Sequence, residues 1–375
     1  MDRKTFFFAG GGTGGHIYPA LAAAEKIIEI NPGAKIHFLW SSRNVDVQIL
    51  KQTGFSYTQL PAKGFSIRPI KLIDFCISFF KSYRIAEEEI RGSGNCVVIG
   101  IGGFVAAPVC FAAHRLRRPV VLLNVDIVPG LANKLIARWA NEILVQFEDT
   151  KEHLARYKDR IVVTGCPLRS GFENPQPEKM KRQLGLDENK KILLITGASS
   201  GSENINKTIC ALLGRLNAFA DGWQIVHLTG RANFEKVKSG CASAKIKYKV
   251  LDYCDDMADL LAAADLVIGR SGAVSVAEYA AAGVPSICMP YPYHKDMHQY
   301  LNAGKLVAAG AAVIVDDVAD EADRAEWLWE ELEGLLKDER KRLEMKINCT
   351  AVARKDAAMK IAERLLEISG TSDSL

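Results

Sequence analysis

The segment 264–302 constrains the fold of this chain more than any other. Leu266–Gly269 is a short apolar run that breaks into the small-residue turn Arg270-Ser271-Gly272, the pattern of a strand buried in a parallel sheet. Ala273 to about Ala282 then reads as a helix with Glu278 in its middle, and Gly283-Val284-Pro285 stops it. Ser286–Met289 is a second buried strand ending at Pro290, and His294, Lys295, Asp296, His298, Gln299 and Asn302 follow close behind it. A strand–turn–helix unit aims the unbonded N–H groups of the first helical turn beyond the sheet, where they suit a phosphate. In open α/β sheets, ligands bind beyond the carboxyl ends of the strands. Glu278 and the 294–302 cluster are therefore expected to face one ligand that carries hydroxyls and phosphates.

The same plan occurs twice more. Thr5–Ala9 is a buried strand, followed by the glycine-rich Gly10–Gly15, then His16, Pro19 and an apolar helix to about Ile30. The spacing Gly10-x-Gly12-x-x-Gly15 matches a dinucleotide fingerprint. The next strand, Lys35–Trp40, ends in Ser41-Ser42, however, where that motif needs an acidic ribose ligand. His16 begins the helix. A helix N-terminus disfavours imidazolium, so the ring is suited to act as a neutral base; a structural hydrogen-bonding role fits the same position. Further on, Lys191–Thr196 opens a second sheet and Gly197–Ser202 follows as a second phosphate cradle. That loop also matches G-x-S-x-G, the nucleophile elbow of hydrolases, a reading that leaves the first sheet and its histidine loop without a role.

At 375 residues, 48% hydrophobic and 25% charged, the chain has the balance of a globular protein of two domains. A formal charge of +4 argues against a dedicated nucleic-acid binder and permits a local basic patch. Nine cysteines with no C-x-x-C pair are neither a zinc site nor a disulfide framework, which points to a reducing cytosol. No apolar run reaches the roughly 18 residues that span a bilayer, and no leader-like segment precedes Thr5, so a soluble or peripheral protein is expected. The stretch Ile67–Arg84 places Leu72, Phe75, Cys76, Phe79, Phe80 and Tyr83 on one helical stripe, flanked by Arg68, Lys71, Lys81 and Arg84. It reads either as an interfacial helix on an anionic membrane or as a core helix with basic ends.

These motifs resemble those of the MurG-type transferases, GT-B glycosyltransferases of family 28 that add N-acetylglucosamine (GlcNAc) to lipid I. The family's G-G-T-G-G-H-x-x-P-A-L-A is reproduced by Gly11–Ala22, and its G-x-G-G-[YF]-x-x-x-P by the segment leading to Pro108. Its R-S-G-A-x-[ST]-V-x-E, A-A-A-G-x-P and H-K-D-x-x-Q-x-x-N-A stand here as Arg270–Glu278, Ala280–Pro285 and His294–Ala303. Gly130–Lys134 matches as well. Three places depart from the pattern: Asn124-Val125-Asp126 in place of the family's Gln-Asn region, Cys166 for Asn in the G-N-P-[VI]-R motif, and Ser200 for Gln in the second glycine loop.

The resemblance implies an α/β GT-B fold, two Rossmann-like domains whose parallel sheets face each other across a cleft. The expected divisions are an acceptor- and membrane-facing domain over 1–168, a linker over 169–190, a UDP-GlcNAc-binding domain over 191–345, and a terminal helical segment, 346–375, packing back on the first domain. It implies inverting transfer of GlcNAc from UDP-GlcNAc to polyprenyl-diphospho-muramoylpentapeptide (lipid I), giving lipid II of peptidoglycan synthesis. His16 would be the catalytic base. Thr13, Gly14, Gly15, Arg169, Ser199, Ser200, Gly201, Ser271, Gly272, Glu278, His294 and Gln299 would hold the donor, and Gly102, Gly103 and Asn124 the acceptor. No cofactor and no metal is expected, since no Asp-x-Asp triplet occurs. The expected partners are UDP-GlcNAc, the lipid-linked acceptor and the inner face of the cytoplasmic membrane, with the protein peripheral on its cytoplasmic side and no nucleic acid involved. The three departures keep open a paralogue that glycosylates another lipid or metabolite. A UDP-sugar 2-epimerase and a non-catalytic nucleotide-sugar binder share the plan.

Overall fold

The computed structural model describes residues 4–11, 14–65, 68–198 and 200–371. They form two compact units, one running up to Arg169 and resuming at Asp356, the other Ser170–Lys355.

The first unit is built on a seven-stranded sheet: β1 Thr5–Gly10, β2 Lys35–Ser41, β3 Ser56–Leu60, β4 Cys96–Gly100, β5 Val120–Asn124, β6 Glu142–Val145 and β7 Ile161–Val163. All pairs are parallel, in the order β3-β2-β1-β4-β5-β6-β7. A parallel sheet must be covered on both faces, and β1 shows how. Phe6 and Phe8 point to a core shared with Ile17, Ala20 and Ile27 of the first helix, Gly14–Ile30. Phe7 and Ala9 point to the opposite core, with Val105 and Val109 of the helix Gly103–Arg115. The last helix, Ala357–Thr371, completes the first of these faces through Ile361, Ala362 and Leu365. It is clamped there by Arg364, whose guanidinium donates to both carboxylate oxygens of Glu142, with Nε 2.7 Å from Oε1 and Nη2 2.7 Å from Oε2.

The second unit carries a six-stranded parallel sheet: β8 Lys191–Thr196, β9 Trp223–Leu228, β10 Lys247–Leu251, β11 Leu266–Gly269, β12 Ser286–Cys288 and β13 Ala312–Ile314, in the order β10-β9-β8-β11-β12-β13. Leu193, Ile195, Ile225, Ile268 and Ile287 meet Ile205 and Ile209 of the helix Glu203–Ala211 and Leu328, Leu332 and Leu335 of the helix Glu321–Lys337.

Both sheets reverse their strand order once, at β1/β4 and at β8/β11. Crevices open at such switch points, and the glycine loops follow β1 and β8.

The unit boundaries differ from the expected divisions. The stretch 169–190 contains a helix, Pro177–Leu184, with Phe172, Met180 and Leu186 buried. Pro177 occupies the first helical turn, where its missing N–H leaves no bond unmade, so a proline that suggested a linker is a helix start. The segment from 346 is also divided. Glu339–Val352 stays with the second unit through buried Met345 and Cys349, and a separate helix begins at Ala357.

The helix Pro69–Arg91, over the basic-apolar stretch, has both a core-facing side and an exposed apolar side. Phe79 and Tyr83 pack against the core. Ile70, Ile73, Ile77 and Phe80 form an exposed row, with Ile70 79% and Phe80 61% accessible. Among the described residues, no helix is long and apolar enough to cross a membrane.

Candidate active site

In the first unit the loops after β1 and β4 are pressed together. Gly103 has φ +74, and a Cβ there would lie 2.3 Å from the carbonyl oxygen of Gly11, so only glycine fits. Its neighbour Gly102 faces the histidine: a Cβ on it would stand 2.9 Å from His16 Nε2 and 3.2 Å from Asn133 Oδ1. Gly14 and Gly15 open the helix that bears His16. Thr13 lies outside the described residues.

His16 is half-buried, and its Nδ1 sits 3.1 Å from the Gly11 carbonyl oxygen. A carbonyl only accepts, so Nδ1 carries the proton and Nε2 is the basic nitrogen. Burial lowers the pKa of the ring; the charges of Asp126 and Asp46 and the Gly11 carbonyl oppose it without reversing it. The ring is therefore neutral at physiological pH, with its proton-accepting atom on the Gly102 side.

Asn124 is placed beside this cluster, but its amide is engaged by its own surroundings. Its Nδ2 donates to the Asp126 carbonyl at 2.6 Å and its Oδ1 accepts from Asn133 Nδ2 at 2.9 Å. Asn133, on the short helix Leu131–Ile136, is the residue that sequence reasoning missed. It is 7% exposed, and its Oδ1 has no hydrogen-bond partner among the described residues. The Gly130–Lys134 match was the only signal for it. Arg169 lies apart from these residues in the chain, with its guanidinium 4.4 Å from the centre of the Tyr18 ring on the first helix.

In the second unit the loops after β8, β11 and β12 converge. Gly201 has φ +74, and a Cβ there would come within 2.1 Å of the Thr229 carbonyl. Ser202 caps the helix Glu203–Ala211, accepting from Ile205 N. Ser200 shares this turn, and Ser199 lies outside the described residues. Ser271 is fully buried, its Oγ without a hydrogen-bond partner among the described residues, and Gly272 is the N-cap of the helix Ala273–Ala282. Glu278 is half-buried on that helix. Gln299 is held by accepting from Tyr291 N at 2.9 Å. His294 is exposed and packs on Tyr291, ring centres 5.0 Å apart.

A second group that sequence reasoning left out ties these loops together. Arg270 Nη1 donates to the Met289 and Pro290 carbonyls at 2.8 and 3.2 Å, and Nη2 to Ser202 Oγ at 2.7 Å and Asp317 Oδ2 at 2.6 Å. Its charge is answered by Asp317, itself fully enclosed. Arg270 thus braces the loops of the cradle from beneath.

The structure therefore gathers His16, Gly102, Gly103 and Asn124 at the carboxyl ends of β1, β4 and β5. Around the ends of β8, β11 and β12 lie Ser200, Gly201, Ser271, Gly272, His294 and Gln299, with Glu278 further along the helix Ala273–Ala282. The first set offers a neutral base against a glycine-lined surface. The second places glycine turns and helix starts beside polar side chains.

Comparison with known proteins finds matches along most of the chain. The Glycosyltransferase family 28 N-terminal domain matches residues 6–145 and the Glycosyltransferase family 28 C-terminal domain residues 192–363. A protein of Chlorobium limicola named UDP-N-acetylglucosamine--N-acetylmuramyl-(pentapeptide) pyrophosphoryl-undecaprenol N-acetylglucosamine transferase is 33% identical over 371 residues, covering 96% of this chain and 98% of its own. The crystal structure of Acinetobacter baumannii MurG superposes with a TM-score of 0.72 at 24% identity, covering 98% of this chain and 100% of that one. The UDP-GlcNAc 2-epimerase of Neisseria meningitidis bound to UDP-GlcNAc reaches 0.70 at 15% identity, covering 97% and 100%.

Proposed function

The chain belongs to glycosyltransferase family 28, and we propose that it transfers GlcNAc from UDP-GlcNAc to lipid I, forming lipid II in peptidoglycan synthesis. Its two parallel-sheet units are the halves of a GT-B fold. The reading is carried by a likeness that runs the length of the chain to an enzyme named for this transfer. The epimerase shares the fold at 15% identity, which speaks to architecture alone.

In this reading, the acceptor lies against Gly102 and Gly103, and His16 Nε2 takes the proton from its attacking hydroxyl. The oxygen bonds to the anomeric carbon from the face opposite the nucleotide, the bond to the diphosphate breaks, and the configuration inverts. A positioned base of this kind contributes about 10²–10⁴-fold. The turns at Ser200-Gly201 and Ser271-Gly272 hold the departing diphosphate through N–H groups, Glu278 accepts from the ribose hydroxyls, and His294 and Gln299 read the sugar. The absence of an Asp-x-Asp triplet supports a transfer that needs no metal. The exposed row Ile70, Ile73, Ile77 and Phe80, edged by Arg68, Lys71, Lys81 and Arg84, supports docking on an anionic membrane surface, where a lipid-linked acceptor would be met.

The test is a transfer assay with radiolabelled UDP-GlcNAc and a short-chain lipid I analogue, in the presence of EDTA. Label is expected in the lipid product. UDP binding without any transfer to the analogue would overturn the assignment of the acceptor.

A further inference from the structure

We propose that His294, Asp296 and His298 form a binding site for one divalent transition-metal cation of the zinc, cobalt or nickel class. This goes beyond the transfer reaction, which is read above as needing no metal, and it concerns the donor-free chain, since a cation would engage the His294 ring that otherwise reads the sugar.

The three residues alternate along the turn that leads from β12 into the helix His298–Ala308. Met297 sits in the left-handed region, φ 48 and ψ 26, and folds this turn back on itself. One ligand atom from each of the three side chains thereby comes within 4.8 Å of the others. The donors around a tetrahedral ion with bonds of about 2.0–2.2 Å stand roughly 3.3–3.5 Å apart, so small side-chain rotations close the set. The imidazole rings of His294 and His298 already lie 4.4 Å centre to centre.

The donor types decide the class of ion. Two imidazoles and one carboxylate suit zinc, cobalt and nickel, whereas magnesium and calcium prefer all-oxygen sets. Asp296 Oδ1 lies 2.7 Å from His298 Nδ1, with a proton shared between them. A cation takes the place of that proton at Nδ1, and the neutral ring then carries its proton on Nε2. The cluster is open to water on one side, with Asp296 exposed, which leaves further coordination positions to water. Tyr291 packs on His294 and donates its N–H to Gln299, so the cluster is bracketed by one hydrogen-bonded loop. An ion held at its centre stiffens residues 291–299.

The experiment is a Co²⁺ titration of the full chain after EDTA treatment and dialysis. It reads cation binding alone and is separate from the transfer assay. One saturable site is expected, with visible d–d bands and no thiolate charge-transfer band. Binding should be lost in His298→Gln and in Asp296→Asn and retained in His153→Gln, all three with unchanged thermal melts. Absence of saturable binding, equal binding by His298→Gln, or a cobalt–thiolate band would each overturn the assignment.

Discussion

Replacing Arg270 with alanine distinguishes a brace from an anion ligand. The side chain is almost wholly enclosed, and it satisfies two carbonyls, the Ser202 hydroxyl and the Asp317 carboxylate at once. Removing one partner of a buried ion pair costs about 3–5 kcal/mol, because the other charge is left uncompensated. Here Asp317 would keep Asn204 Nδ2 at 2.8 Å and Arg324 Nε at 3.7 Å, which places Arg270→Ala near the lower end, about 3 kcal/mol. For a unit of this size, each kcal/mol is worth roughly 2–4 °C in melting temperature, so the melt should fall by roughly 6–12 °C. Asp317→Asn leaves two buried guanidinium groups facing a neutral amide and should cost more. The assay is a circular-dichroism melt of each variant, with UDP binding measured calorimetrically below the transition. A brace predicts a large loss of stability and a modest change in UDP affinity at low temperature. An unchanged melt with strongly weakened UDP binding would refute it and make Arg270 a ligand of the diphosphate.

Other outcomes follow from the same structure. His16→Ala should lower kcat by about 10²–10⁴-fold while UDP affinity is kept; equal loss of both would move His16 into the donor site. Burial lowers the His16 pKa, so the acid limb of the wild-type pH–rate profile should lie below 6.5. Asp126→Asn, which removes a charge that raises that pKa, should move the limb lower still. The double substitution of Ile73 and Phe80 by Glu should abolish binding to anionic vesicles while leaving transfer to a water-soluble acceptor analogue intact. His227, fully buried between Asn206 and Tyr248, is held down to about 3 by desolvation. The unfolded chain takes up that proton near pH 6.5 and the folded one only near 3, so stability should fall as pH drops through this window. His227→Gln should flatten that part of a stability–pH curve measured by urea unfolding.

Much of this architecture was legible because parallel strands buried on both faces read as continuous apolar runs. Lys191–Thr196 and Leu266–Gly269 emerge at their structural limits, as does the helix Ala273–Ala282, which ends where Gly283 turns to φ +67. Ser56–Leu60 did not, since an edge strand with mixed burial carries no such run. The glycine loops marked the turns beyond β1 and β8, but not which side chains would be enclosed beneath them. Arg270 and Asp317 are 47 residues apart, and nothing local to either marks them as a pair. Asn133 likewise acquires meaning only when its helix brings it beside Gly102. Exposure was the other hidden quantity: the 67–84 pattern is the same whether Phe80 faces the core or solvent, and only tertiary packing decides it.

The last helix completes a sheet that begins at residue 5, and this has a bearing on biosynthesis. Phe6, Phe8, Phe38 and Val97 share their core with Ile361 and Leu365, and the whole of Ser170–Lys355 must emerge from the ribosome before those residues do. At roughly 5–20 residues per second, that interval is on the order of 10–40 s. Throughout it, the nascent first unit shows an uncovered apolar seam, which makes it a client for holding chaperones and gives a release-delayed or carboxy-truncated chain a route to aggregation.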